Sequence, residues 1–307
     1  MARMKQDAVG KEPRAIPIEL PGLRLVAHEW GAQHRGVRPS ILLLHATGFH
    51  ARCWDQVVAR LGARHVIALD QRCHGASDAV AFQDWRAMGG DLVGVLERLD
   101  LTGAYGVGHS MGGTALLLAA PQVGARLGAL LLIDPVVMTP QAYAIGRNPM
   151  AAPPGEVNPI ARRFDRYESA DAMRDRLSAR APHALFDPAV MMDYCLHGLR
   201  RDGPDAPWRL ACPPVLEASV YETVLSHDPH PILAQVRQPT TVVRAMQPTA
   251  PEHAASFVYS PTDPDLAARL PAGRDLLLEQ FTHFLPMQDP GFCAGLILGA
   301  EPTDSTA

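Results

Sequence analysis

The chain has 307 residues, 47% hydrophobic and 20% charged, enough apolar mass for a single α/β core with an insertion. Its net charge of −4 is small and its Lys and Arg residues are scattered among acids, so nucleic acid is not an expected partner. The five cysteines (Cys53, Cys73, Cys195, Cys212, Cys293) are widely spaced without a C-x-x-C pair, which argues for buried reduced thiols over a disulfide framework or a zinc site.

Met1 to Leu20 carries charges throughout and lacks the apolar core of a secretory signal, so residues 1–20 read as an N-terminal extension of a cytoplasmic protein. No run approaches the ~20 apolar residues of a membrane span, and stable membrane insertion is not expected. Residues 21–138 then alternate short apolar runs with helix-like stretches, the pattern of repeated βαβ units. Strands are predicted at Leu23 to Glu29, Ile41 to Leu44, His65 to Leu69, Gly103 to Val107 and Ala129 to Ile133. Helices are predicted at Trp54 to Leu61, Phe82 to Leu99 and Met111 to Ala120. Across residues 139–231 the texture changes to frequent proline, Arg and Asp with no buried-strand pattern, which reads as a helical cap inserted in the core. Within it, Ser169 is placed to cap a helix from Ala170 to Ala179, and Asp187-Pro188 to open one over Ala189 to Leu199. The core resumes over 232–307, with strands at Thr240 to Arg244 and Asp275 to Glu279 and a closing helix at Gly291 to Leu298.

Ser110 lies in Gly108-His109-Ser110-Met111-Gly112, between a buried strand and an Ala/Leu-rich helix. That is the context a G-x-S-x-G nucleophile elbow requires, with glycines where strand and helix must pass closely. A serine hydroxyl needs a base, and the base needs a carboxylate to orient it. Of thirteen histidines, His283 is the favoured base, because it follows a C-terminal strand at the sheet edge that also carries Ser110. The acid has three candidates. Asp134 ends the strand one βα unit after Ser110 and is favoured. Asp263 and Glu252 lie in the long loop after Thr240 to Arg244, where Ala245 to Pro251 offers no carboxylate. The backbone amides of Thr47, in the turn His45-Ala46-Thr47-Gly48-Phe49-His50, and of Met111 are candidates to bind an oxyanion. His45 reads as a brace for that turn, His109 as an elbow-packing residue, and Asp70 to Asp78 as a supporting loop. No second ligand cluster argues for a metal, and no cofactor is expected.

Four segments in order, His45-Ala46-Thr47-Gly48, Asp70 to Asp78, Gly108 to Gly113 and Thr282-His283-Phe284, resemble the α/β-hydrolase superfamily and together span nearly the whole chain. The resemblance implies an α/β fold with an eight-stranded, mostly parallel sheet flanked by helices, a cap inserted after strand six, and cofactor-independent hydrolysis of an ester-like bond. Three positions depart from the common pattern: Ala46 and Cys73 stand where glycine is usual, and the acid after Thr240 to Arg244 is missing. Asp134 instead occupies the acid position used by haloalkane dehalogenases and by lactone-opening zearalenone hydrolases; the serine nucleophile matches the latter. The expected enzyme is a carboxylic ester hydrolase of the esterase, lipase or lactonase type acting on a small-molecule ester or lactone. Transfer to another acyl acceptor, C–C bond hydrolysis, and a non-catalytic ligand-binding role on the same fold are the competing readings. Met138, Met150, Met191, Met192, Tyr194 and Trp208 are the apolar residues of the cap read as enclosing the substrate or forming plain core.

Overall fold

A computed structural model describes residues 12–81, 83–250, 253 and 256–301. Strands β1 (Arg14–Leu20) and β2 (Leu23–Trp30) form an antiparallel hairpin at one edge of the sheet. The last seven residues of the stretch read as an N-terminal extension, Arg14–Leu20, therefore belong to the main sheet. The reason it escapes a sequence reading is physical: an edge strand here buries only Ile18, and Pro17 and the flanking charges mask its alternation.

Strands β3 (Ile41–Leu44), β4 (Val66–Asp70), β5 (Ala104–His109) and β6 (Leu127–Ile133) are almost wholly buried, as their continuous apolar runs require of strands covered on both faces. A small antiparallel sheet, β7 (Arg166–Tyr167), β8 (Leu199–Arg200) and β9 (Trp208–Leu210), pairs in the order β7-β9-β8. With β10 (Thr240–Arg244) and β11 (Gly273–Leu277) the main sheet has the order β1-β2-β4-β3-β5-β6-β10-β11. Its pairs from β4 to β11 are parallel, and β2 runs antiparallel to both of its neighbours. β11 begins two residues before the expected Asp275 because its register is set by pairing Gly273 with Thr240, while its own side chains are largely exposed at the sheet edge.

Helices α1 (Asp55–Val58), α2 (Arg86–Arg98) and α3 (Met111–Val123) follow β3, β4 and β5. Phe82, where the second of these was predicted to start, lies outside the described residues. Between β6 and β10 come α4 (Pro140–Ile145), α5 (Ala170–Leu177), α6 (Pro188–His197) and α7 (Pro214–Glu222). The side chains of Thr139, Ser169 and Asp187 accept from amides of the first turns of α4, α5 and α6, which fixes where those helices start. The chain closes with α8 (Leu285–Gln288) and α9 (Pro290–Gly299).

Helices α2 and α3 cover one sheet face through Leu92, Leu96, Leu116 and Leu117, and α1 and α9 cover the other through Val57, Val58 and Ile297. A third cluster joins Met173, Phe186, Met191 and Tyr194 of the segment between β6 and β10 to Phe49, Phe284 and Met287 of the core. That segment thus packs over the carboxyl ends of the central strands. Among the described residues no helix is long and apolar enough to cross a membrane.

Candidate active site

Ser110 occupies the turn between β5 and α3 with φ 56° and ψ −118°, a conformation unfavourable for a residue with a Cβ. The flanking glycines make it possible: a Cβ on Gly108 would stand 2.5 Å from the Gly112 carbonyl carbon, and one on Gly112 would stand 2.4 Å from the Leu44 oxygen. The Ser110 amide donates to the Ile133 carbonyl at 3.0 Å, tying the turn to the neighbouring strand. Its hydroxyl lies 2.9 Å from His283 Nε2, and His283 Nδ1 lies 2.6 Å from Asp134 Oδ2. All three residues are buried.

Two backbone contacts position His283. Its amide donates to the Val258 carbonyl at 2.9 Å, and its carbonyl accepts from His109 Nε2 at 2.7 Å. His109 Nδ1 has no hydrogen-bond partner among the described residues. Burial pushes the His109 imidazole down to about 3, reinforced by nearby His283, so this ring stays neutral beside His283.

Asp134 directly follows β6 in a left-handed backbone conformation, φ 47°, with its amide donating to the Val243 carbonyl at 2.7 Å. While Oδ2 faces His283, Oδ1 accepts from the Ala245 amide at 3.0 Å, the Thr262 hydroxyl at 3.3 Å and the Ser260 hydroxyl. Burial alone would raise this carboxyl. The hydrogen bond and charge of His283, with the Ser260 and Ala245 donors, outweigh it and hold the group below the ordinary aspartate range.

The other carboxylate candidates stand elsewhere. Asp263 accepts from Arg269 Nε at 2.9 Å and lies 3.3 Å from His230 Nε2, away from His283. Glu252 lies outside the described residues.

Across the site, Thr47 is held beside the first residue of α3, its hydroxyl donating to Met111 Sδ at 3.4 Å. Among the described residues the Thr47 amide has no hydrogen-bond partner, and Met111 opens its helix, so its amide precedes the intrahelical ladder. His45 braces the turn: Nδ1 donates to the Ala46 carbonyl at 2.8 Å, and Nε2 accepts from the Gln71 amide at 3.0 Å. Asp70 supports it from β4 by accepting from the amides of Ala51 and Ala76 at 2.7 and 2.9 Å.

Ser110, His283 and Thr47 open onto a mostly apolar cavity of about 80 Å³, walled by Trp85, Met138, Met150, Phe257 and Phe284. Of the six cap residues singled out from the sequence, Met138 and Met150 line it. Met191 and Tyr194 are buried in the third apolar cluster, and neither Met192 nor Trp208 reaches the cavity. One grouping among the described residues has metal-ligand spacing, Asp55, Asp193 and His197, with one ligand atom from each within 4.8 Å of the others. Arg52 Nε already donates to both Asp55 oxygens, at 3.0 and 2.9 Å, and Gln56 Nε2 donates to Asp193 at 2.9 Å.

Residues 41–296 match the model of the alpha/beta hydrolase family. The chain belongs to this family. Among curated alpha/beta hydrolase relatives, an sn-1-specific diacylglycerol lipase of Mus musculus is 40% identical over 113 residues, 34% of this chain and 36% of the lipase. An esterase of Mycobacterium tuberculosis is 30% identical over 192 residues, 60% of this chain and 59% of the esterase. The matched segments thus span between about a third and three fifths of these two relatives' lengths. Among solved structures, the peroxisomal alpha-beta-hydrolase Lpx1 of Saccharomyces cerevisiae superposes with a TM-score of 0.73 at 17% identity, covering 98% of this chain and 92% of that one. A crystal structure of the M. tuberculosis esterase gives 0.67 at 22% identity, covering 94% and 91%. These likenesses establish the alpha/beta hydrolase fold.

Ser260 and Thr262, the hydroxyl donors to Asp134, were not singled out from the sequence. A signal was present: a Ser-x-Thr pair in the long loop after β10, next to Asp263. Glu217 and Arg163, which meet at the site's outer wall, left no signal, because 54 residues separate them and nothing in their local patterns pairs them.

Proposed function

We propose that this alpha/beta hydrolase is a serine hydrolase that cleaves a carboxylic ester or lactone through an acyl-enzyme. The observation that carries the reading is the unbroken hydrogen-bonded series from Ser110 through His283 to Asp134, opening on an apolar cavity. In this reading His283 takes the Ser110 proton as the oxygen attacks the acyl carbon, and Asp134 stabilises the imidazolium that results. The amides of Thr47 and Met111 receive the negative charge that develops on the carbonyl oxygen. His283 then returns the proton to the leaving alcohol. In the second half-reaction the same imidazole activates water, and the acid is released. The names of the diacylglycerol lipase and esterase relatives support ester chemistry, and the narrow apolar cavity supports a small or slender acyl group over a polar one.

A fluorophosphonate probe tests the nucleophile. Folded wild-type protein is expected to be labelled at Ser110 and Ser110→Ala to remain unlabelled; absence of label on the folded wild type overturns the reading. A series of p-nitrophenyl esters of graded acyl length, run beside several lactones, then ranks the substrates.

A further inference from the structure

The turn from His45 to His50 is gripped from two sides. From the core, His74 Nε2 accepts from the Gly48 amide at 2.9 Å while its Nδ1 donates to the Arg72 carbonyl at 2.8 Å. From the cap, Glu217 of α7 rests directly on the turn: a Cβ on Gly48, whose φ is +79°, would stand 2.5 Å from Glu217 Oε1. The other carboxylate oxygen of Glu217 accepts from Arg163 Nη1 at 2.5 Å, and Arg163 Nη2 donates to the Tyr194 hydroxyl at 3.2 Å. The Tyr194 carbonyl is itself 3.1 Å from His50 Nε2, at the far end of the same turn. Glu217 and Tyr194 are both buried, and neither Glu217 nor Arg163 lines the cavity at Ser110.

A buried ion pair contributes little net stability, because desolvation offsets most of its attraction. Its placement is explained by what it holds. Burial raises the Glu217 carboxyl above its ordinary value, against the pull of the Arg163 charge.

We propose that Glu217, anchored by Arg163, positions the Ala46-Thr47-Gly48 turn, so that docking of the cap on Gly48 sets the oxyanion-binding amide of Thr47. The inference rests on the acyl-enzyme reading above, since it gives the Thr47 amide its role. Glu217 touches no reacting atom. It acts through the turn, where a displacement of about 1 Å can cost ~100-fold in rate.

The test uses the full chain, a p-nitrophenyl butyrate assay, and a trifluoromethyl ketone whose Ser110 adduct carries an oxyanion. Glu217→Gln is expected to lower kcat about 10- to 100-fold with KM changed less than about threefold, because the substrate cavity is untouched. The ketone's inhibition constant is expected to rise by the same factor as kcat/KM falls, while the acid limb of the pH–rate profile stays in place. Arg163→Lys, which keeps the charge, is expected to recover part of the loss seen in Arg163→Gln. Should Glu217→Gln not fold, the double variant Glu217→Gln/Arg163→Met, which leaves no unpaired charge, is expected to show the same kinetic pattern. A lower melting temperature with kcat within twofold of wild type overturns the proposal and reduces the pair to a structural contact. A fall in kcat without a matching rise in the ketone's inhibition constant also overturns it. Turnover that survives Ser110→Ala removes the acyl-enzyme reading first, and with it this inference.

Discussion

The end of β6 and the loop that follows β10 stand side by side, and they divide between them what one loop would otherwise supply. The first contributes the carboxylate, Asp134, in a left-handed turn. The second contributes donors to it, the Ala245 amide and the Ser260 and Thr262 hydroxyls, while its own acid, Asp263, turns to Arg269 and His230. An acid for this imidazole is therefore defined by where the donors converge, and the strand that bears it is secondary. A carboxylate with satisfied oxygens stays ionised when buried; one facing an arginine is already spent on another pair.

The largest expected effect separates the two regions outright. Asp134→Asn is expected to reduce kcat on a nitrophenyl ester by about 10³- to 10⁴-fold, as loss of the orienting carboxylate does in Ser-His-Asp sites, and Asp263→Asn by less than about threefold. The reverse ranking in steady-state assays breaks the comparison. A smaller effect probes the loop's contribution. Removing a donor from Oδ1 in Ser260→Ala or Thr262→Ala is expected to lower kcat about 3- to 10-fold and to raise the Asp134 carboxyl, read as an upward shift of the acid limb of kcat/KM. An unchanged acid limb would show that the hydroxyls only fill space.

A separate effect is on stability, which falls with falling pH for both the acid and the imidazoles across the site, but in different windows. Asp134 is lowered in the folded state, so the stability it contributes is present above the unfolded value of about 3.9 and is lost only in stronger acid. His45 and His109 are pushed down to about 3 and His74 to about 4, chiefly by burial. Their folded values lie below the unfolded 6.5, so the unfolded chain binds protons first as pH falls. Each imidazole then costs up to about 1.4 kcal/mol per pH unit below that value. Melting temperature followed by circular dichroism is expected to hold level above pH 7 and to fall steadily from about pH 6.5 to 4.5. A flat profile in that window would contradict neutral histidines around the turn.

The central strands and the elbow were legible because their physics is local. Ile41–Leu44 and Leu127–Ile133 are continuous apolar runs, and the glycines around Ser110 mark a steric need that two residues suffice to state. The edges were less legible: β1 buries little, and the start of β11 depends on its partner's register. The paired strands β7 to β9 are two or three residues long, too short to show an alternation. Cys73, which stands where the family has glycine, keeps the backbone that glycine would favour, φ 70°, with its thiol donating to the Val80 carbonyl at 2.8 Å. Contacts such as Glu217 on Gly48 were out of reach because they join distant segments through shape alone.

The Asp134 backbone fastens two strand ends to one another at the imidazole. Its amide is bonded to Val243 and its carboxylate to Ala245, so the last turn of β6 and the first residues after β10 share one small volume beside the same imidazole. Either strand end is therefore close enough for a carboxylate on it to reach that imidazole. Moving the carboxylate between them would leave the His283 loop and the Ser110 turn where they stand.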